Sequence, residues 1–130
     1  MIDVENKIFT VIYDAAVAAN SACKVDSVYP SQTAEFPHVM AEQIDAYGTN
    51  YTQECEAPYA VSVWQIDVYS NDKTMRKTVC GKIAKSIDAA LTTLNFRCLS
   101  RVPMQDITNG IYRLSLRYQV ETDGTKFYRI

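Results

Sequence analysis

The stretch from Ile111 to Glu121 reads IYRLSLRYQVE, and it determines the class of fold that we expect. Its apolar and polar residues alternate one by one, which is typical of a strand with one buried face and one face turned to water or to a partner. The residues expected on the buried face are Tyr112, Leu114, Leu116, Tyr118 and Val120, and those expected on the other face are Arg113, Ser115, Arg117, Gln119 and Glu121.

Two segments outside this strand have the periodicity of amphipathic helices. In the first, from Asp3 to Asn20, apolar residues recur at three- and four-residue steps, and Asp3 is placed to cap the helix start. The second runs to Leu94 from a cap at Asn71 or Asp72. Its predicted apolar stripe contains Met75, Val79, Ile83, Ile87, Leu91 and Leu94, widened by Cys80, Ala84 and Ala90. Helices of this kind cover one face of a sheet.

The remaining apolar segments are predicted strands. They span Lys24 to Tyr29, Phe36 to Ala46, Tyr59 to Tyr69 and Phe96 to Met104, with a short final strand around Phe127. In the strand from Tyr59, we expect Trp64, Ile66 and Val68 to face the core. The predicted fold is therefore α+β: a single domain over residues 1–130, with a mostly antiparallel sheet of about five strands packed against two helices.

The composition excludes several classes of protein. With 130 residues, 48% of them hydrophobic, and a formal net charge of −2, the chain is an ordinary globular domain without an overall polyanion-binding character. Asp3 and Glu5 leave no basic segment at the start, so we expect no signal peptide. No apolar run approaches the roughly 20 residues of a membrane span, so we expect no membrane association.

No cluster of residues indicates catalysis, so we expect no enzyme, no catalytic residue, no metal ligand and no cofactor. The cysteines at 23, 55, 80 and 98 form no Cys-x-x-Cys pair, and we expect reduced thiols, with Cys80 in the core. His38 is the single histidine and lies inside a predicted strand. A cysteine hydrolase would need His38 beside a thiol.

The polar loop predicted from Tyr47 to Pro58 and the arginine side of the last long strand suggest surfaces for assembly. Loops of this length usually carry function, and tyrosine and arginine suit protein interfaces. The candidate assembly interface consists of Tyr47, Tyr51, Tyr59, Arg113 and Arg117. Arg97 and Arg101 are expected on the same side of the sheet as the other two arginines. A nucleic-acid surface is less well supported, because the sheet lacks the aromatic stripe that base stacking requires.

The order of these elements and three short motifs resemble the tail terminator or tail completion family of long-tailed bacteriophages, whose members join the tail to the head. The first motif is Phe36-Pro37-His38-Val39, and the second is Gln65-Ile66-Asp67-Val68-Tyr69. A long helix from Asp72 to Leu94 follows, and the last strand contains Tyr112-Arg113 and Leu116-Arg117-Tyr118. The resemblance covers nearly the whole chain.

The resemblance implies a structural virion protein without catalytic residues. It implies a homo-oligomeric ring, usually hexameric, that caps the tail tube protein at its head-proximal end and joins it to a head connector or stopper protein. DNA would pass through the lumen without sequence-specific binding. The chain would be assembled in the host cytoplasm and reside in the virion, at the head–tail interface. The alternative is a stand-alone ferredoxin-like module that binds protein or RNA.

Overall fold

The helices and strands follow one another in the predicted order. The computed structural model describes residues 3–26, 36–49, 58–106 and 110–130. Its elements are α1 (Glu5–Ala19), β1 (Lys24–Asp26), β2 (His38–Thr49), β3 (Tyr59–Ser70), α2 (Arg76–Thr93), β4 (Arg97–Asp106), β5 (Ile111–Thr122) and β6 (Phe127–Tyr128). The predicted continuation of the first strand to Tyr29 lies outside the described residues.

One six-stranded sheet contains all of these strands. Its order is β1-β2-β3-β5-β4, and β6 pairs with the end of β5. The strand β1 runs parallel to β2, and every other pair is antiparallel. Residues Glu121 and Thr122 of β5 pair with β3 on one side and with β6 on the other. The strand β6 therefore lies on the same side of β5 as β4. The predicted α+β class, with a mostly antiparallel sheet on two helices, is confirmed.

The core lies between the two helices and one face of the sheet. Trp64, Ile66 and Val68 are buried there, as predicted, and they pack in one cluster with buried residues of α1, α2 and β5. The indole of Trp64 donates to Ser62 Oγ at 2.8 Å, which satisfies its N–H inside the core. Ser86 Oγ of α2 donates to the carbonyl of Ala15 at 2.8 Å, which ties the helices together.

Both helices begin later than predicted. The carboxylate of Asp72 accepts hydrogen bonds from the amides of Thr74 and Met75 at 3.0 and 2.8 Å, and these bonds hold a turn that precedes α2. As a result Met75 is 52% exposed, so its place in the predicted apolar stripe is wrong. At the other helix, the cap position is Val4, so the predicted cap at Asp3 lies one residue too early; Asp3 accepts a hydrogen bond from the amide of Glu5 at 3.0 Å.

Two differences concern the strands. The strand β2 continues to Thr49, and Tyr47 pairs with Val61, so the first residues of the predicted loop belong to the sheet. In β4, the pairing shifts between Cys98 and Ser100. Arg97 therefore pairs with Gln119, whereas Arg101 pairs with Leu116, whose side chain faces the helices. Paired residues share a face, so the expectation that both arginines lie on one side is wrong.

Candidate assembly surface

The sheet face opposite the helices, here called the open face, carries Arg113 and Arg117 of β5 and the odd-numbered residues of β3 from Tyr59 to Tyr69. No described helix packs on it. Its middle is an ion pair: Arg113 Nη2 lies 3.2 Å from Asp67 Oδ1, and Arg113 Nε donates to the same oxygen at 3.3 Å. The side chain of Asp67 is fully buried, while that of Arg113 keeps 29% exposure.

A chain of hydrogen bonds extends this ion pair across the strands. Gln65 Nε2 donates to Asp67 Oδ2 at 3.3 Å, and Arg117 Nη2 donates to Gln65 Oε1 at 3.2 Å. The guanidinium of Arg113 also lies 5.7 Å from the ring centroid of Tyr69, within the range of a cation–π contact. Polar side chains therefore fix one another on a face that no described helix covers.

His38 extends the same face toward the edge of the sheet. It is 2% exposed, and its Nε2 lies 2.8 Å from Asp26 Oδ2 on the neighbouring strand. Its ring centroid is 6.3 Å from that of Tyr69. Within the described residues, His38 Nδ1 has no hydrogen-bond partner. A histidine held by an aspartate forms part of a catalytic triad only when a nucleophile, such as a thiol, lies beside the histidine ring.

None of the thiols in the described part of the chain pairs with His38. Cys23 donates to the carbonyl of Lys24, Cys80 to those of Val68 and Tyr112, and Cys98 to that of Ser100. Burial raises the pKa of the Cys23 thiol to about 11 and that of Cys80 to about 12, so both stay protonated near neutral pH. A neutral thiol is a poor nucleophile. Cys55 lies outside the described residues.

The predicted interface residues do not form one cluster. Arg113 and Arg117 lie together on the open face, and Arg113 pairs with Tyr69 at one end of β3. Tyr59 lies at the other end of β3, roughly 33 Å away at 3.3 Å per residue. Its ring meets that of Tyr128 edge-on at 6.1 Å. Tyr47 is 45% exposed on β2, and Tyr51 lies outside the described residues.

Sequence reasoning missed most of the large apolar residues exposed on β4 and on the part of β2 after its pairing with β1; among them, only Tyr47 was a predicted interface residue. Ile44 and Tyr47 are 39% and 45% exposed on β2. On β4, Leu99, Val102 and Met104 are 44% to 47% exposed. The only local signal was in β4, where apolar residues occur at both odd and even positions. A strand with one buried face and one face in water has them mainly at every second position.

Other kinds of site receive no support from the described residues. Across residues 3–26, 36–49, 58–106 and 110–130, no group of three or more His, Cys, Asp or Glu residues is arranged to hold a metal ion. No helix in the described ranges is long and apolar enough to cross a membrane.

Comparisons with known proteins give a likeness of fold. No protein-family model matches the chain, and no curated protein matches it. Among solved structures, it is similar to a chain described as the virion of a native gene transfer agent (GTA) particle, with a TM-score of 0.54 and 14% sequence identity. The match covers 83% of this chain and 88% of that chain. At this identity the likeness shows a shared fold over most of both chains.

Proposed function

We propose that this chain is a structural virion protein that forms a ring at the head-proximal end of a phage tail. The ring caps the tail tube and joins it to the head connector or stopper protein, and DNA passes through its lumen without sequence-specific contacts. The chief support is the fold that it shares, over 83% of its length, with a chain of a gene transfer agent virion. The motifs at Phe36–Val39 and Gln65–Tyr69 favour the tail terminator family among structural virion proteins.

The chemistry of the described residues agrees with a structural role. Each buried ionisable group of the open face has an ionisable partner that reaches water: Asp67 pairs with Arg113, and His38 pairs with Asp26. Such pairs hold the side chains of a surface in one conformation. We propose that the protein is not an enzyme and uses no cofactor.

The alternative of an RNA-binding module fits the open face less well. Its centre holds Gln65 and the buried carboxylate of Asp67, whereas the recognition of single-stranded RNA on a sheet needs central aromatic rings. The aromatic residues of β3 on this face lie at the strand ends, at Tyr59 and Tyr69. A filter-binding assay with single-stranded RNA should therefore show only weak, salt-sensitive retention.

The direct test is to locate the chain in purified particles by electron microscopy with focused reconstruction of the head–tail junction. We expect a closed ring, hexameric as in the family that the chain resembles, between the tube and the connector. Deletion of the gene should leave heads and unjoined tails. Particles in which the chain lies elsewhere, or joins no ring, would overturn the proposal.

A further inference from the structure

We propose that the two long edges of the sheet bind each other between copies of this chain, in a head-to-tail manner. The basic edge is β4, with exposed Arg97 and Arg101, and the acidic edge is the part of β2 after Met40, with exposed Glu42 and Asp45. The partner is therefore a second copy of the chain. This inference rests on the proposed ring and identifies the surfaces that would close it.

Both edges are open in the described part of the chain. No described strand pairs with the outer side of β4. On the other side of the sheet, the described residues of β1 pair with β2 from His38 to Met40, and no described residue pairs with the outer side of β2 after Met40. Each open edge also exposes large apolar side chains, namely Leu99, Val102 and Met104 on β4 and Ile44 and Tyr47 on β2. Apolar residues flanked by charges are typical of a protein interface.

The signs of the charges decide which edges meet. Within Ala41–Thr49 the carboxylates are Glu42 and Asp45, and no lysine or arginine occurs there. The arginines of β4 lie at the opposite end of the sheet. Two basic edges or two acidic edges would repel each other, whereas a basic edge facing an acidic edge attracts. The contact is therefore heterologous, and repeated heterologous contacts close into a ring when the rotation permits.

Strand direction agrees with this arrangement. The strands β2, β3, β5 and β4 are neighbours and alternate in direction, so β4 runs antiparallel to β2 within one copy. A rotation about an axis parallel to the strands keeps each direction unchanged. The β4 of one copy therefore meets the β2 of the next in the antiparallel sense.

Side chains, rather than a continuous ladder of backbone hydrogen bonds, must form this contact. Pro103 has no N–H to donate, and both edges carry an irregular pairing, between Cys98 and Ser100 and between Gln43 and Asp45. Proline and bulges on an edge hinder unlimited sheet growth. The exposed residues at the irregular positions, Leu99 and Ile44, are both apolar and remain available for packing.

A charge-reversal cycle tests the contact. One variant carries E42K and D45K, which makes both edges basic, and a second carries R97E and R101E, which makes both acidic. Each variant alone should associate at least about tenfold more weakly than the wild type at millimolar concentration and low salt, because like charges face each other. An equimolar mixture should regain association, because copies with two basic edges alternate with copies with two acidic edges.

The matched control is K77E with K82E on the exposed side of α2, which changes the net charge as R97E and R101E do. It should associate like the wild type in light scattering and sedimentation. A wild type that stays monomeric, edge variants that behave like the control, or a mixture that fails to regain association would overturn the inference. None of these results affects the location of the chain in particles, so the proposed function is judged separately.

Discussion

Ile66 and Asp67 are neighbours in β3 and are both fully buried, but they point to opposite faces of the sheet. Ile66 lies in the apolar cluster under the helices. Asp67 lies on the open face, where Arg113 and Gln65 surround its carboxylate. Burial of Ile66 stabilises the fold because its apolar side chain leaves water. Burial of Asp67 is tolerated because its charge is paired and its carboxylate accepts hydrogen bonds. The two faces should therefore respond differently to the loss of one residue.

The largest effect is expected on the helix side. Ile66→Ala removes buried methylene groups and leaves a cavity among residues that cannot fully collapse, so we expect a loss of about 3 kcal/mol in the free energy of unfolding. Urea titration followed by circular dichroism measures it. The control is Leu99→Ala on the exposed edge, which should change the free energy by about 0.5 kcal/mol or less. Equal losses at the two positions would contradict the described burial.

The second effect tests the ion pair on the open face. Arg113→Ala leaves the carboxylate of Asp67 buried without its cation, and we expect a loss of about 2 kcal/mol. Asp67→Asn should cost less, about 1 kcal/mol, because the amide keeps one acceptor and Arg113 is already partly in contact with water.

The order of these two losses is the informative result. The reasoning above predicts that the buried carboxylate of Asp67 needs the positive charge of Arg113. A larger loss of stability in Asp67→Asn than in Arg113→Ala would contradict it. Arg113→Lys is the matched control, since it keeps the charge but loses the planar guanidinium that lies near Tyr69. It should fall between the wild type and Arg113→Ala.

The third effect concerns the thiols of the helix side. Burial raises the pKa of Cys23 to about 11 and of Cys80 to about 12, above the ordinary value of 9.0. Between pH 9 and 11 the unfolded chain loses these protons while the folded chain keeps them, so stability is complete below pH 9 and declines as pH rises. For each such thiol the slope is at most about 1.4 kcal/mol per pH unit.

Cys80→Ala should reduce that alkaline decline, as measured by urea midpoints at pH 8, 9 and 10. Tyrosine side chains also titrate at alkaline pH. The pKa of Tyr118 is raised, and burial is the largest cause. The comparison between the variant and the wild type at each pH removes this shared contribution. An unchanged decline in the variant would mean that Cys80 is not protected in the folded state.

The sequence was sufficient to predict the helix side of the sheet. Alternation in β3 and β5 placed Trp64, Ile66 and Leu116 on the correct face, because a buried face repeats every second residue. Helical periodicity likewise placed Ile83 and Ile87 in the core. These patterns are local, and the hydrophobic effect imposes them on any sequence with this fold.

The open face and the edges could not be predicted in this way. Asp67 and Arg113 are 46 residues apart and meet only because of the register between β3 and β5. No glycine or other local signal marks the irregular pairing beside Leu99. The placement of Arg101 on the helix side of the sheet therefore followed only from the structure. Strand order and bulges depend on long-range pairing, which a single sequence does not display.

The smallest effect is expected at Arg117, which repeats the residue type of Arg113 four positions along the same strand. Arg117 is exposed, and its described hydrogen bond goes to the neutral Gln65 at 3.2 Å. Arg117→Ala leaves no buried charge without a partner, so the free energy of unfolding should change by about 0.5 kcal/mol or less. Urea titration of Arg117→Ala beside Arg113→Ala gives the measurement. A loss at Arg117 as large as that at Arg113 would mean that the hydrogen-bond chain, rather than the burial of Asp67, stabilises the open face.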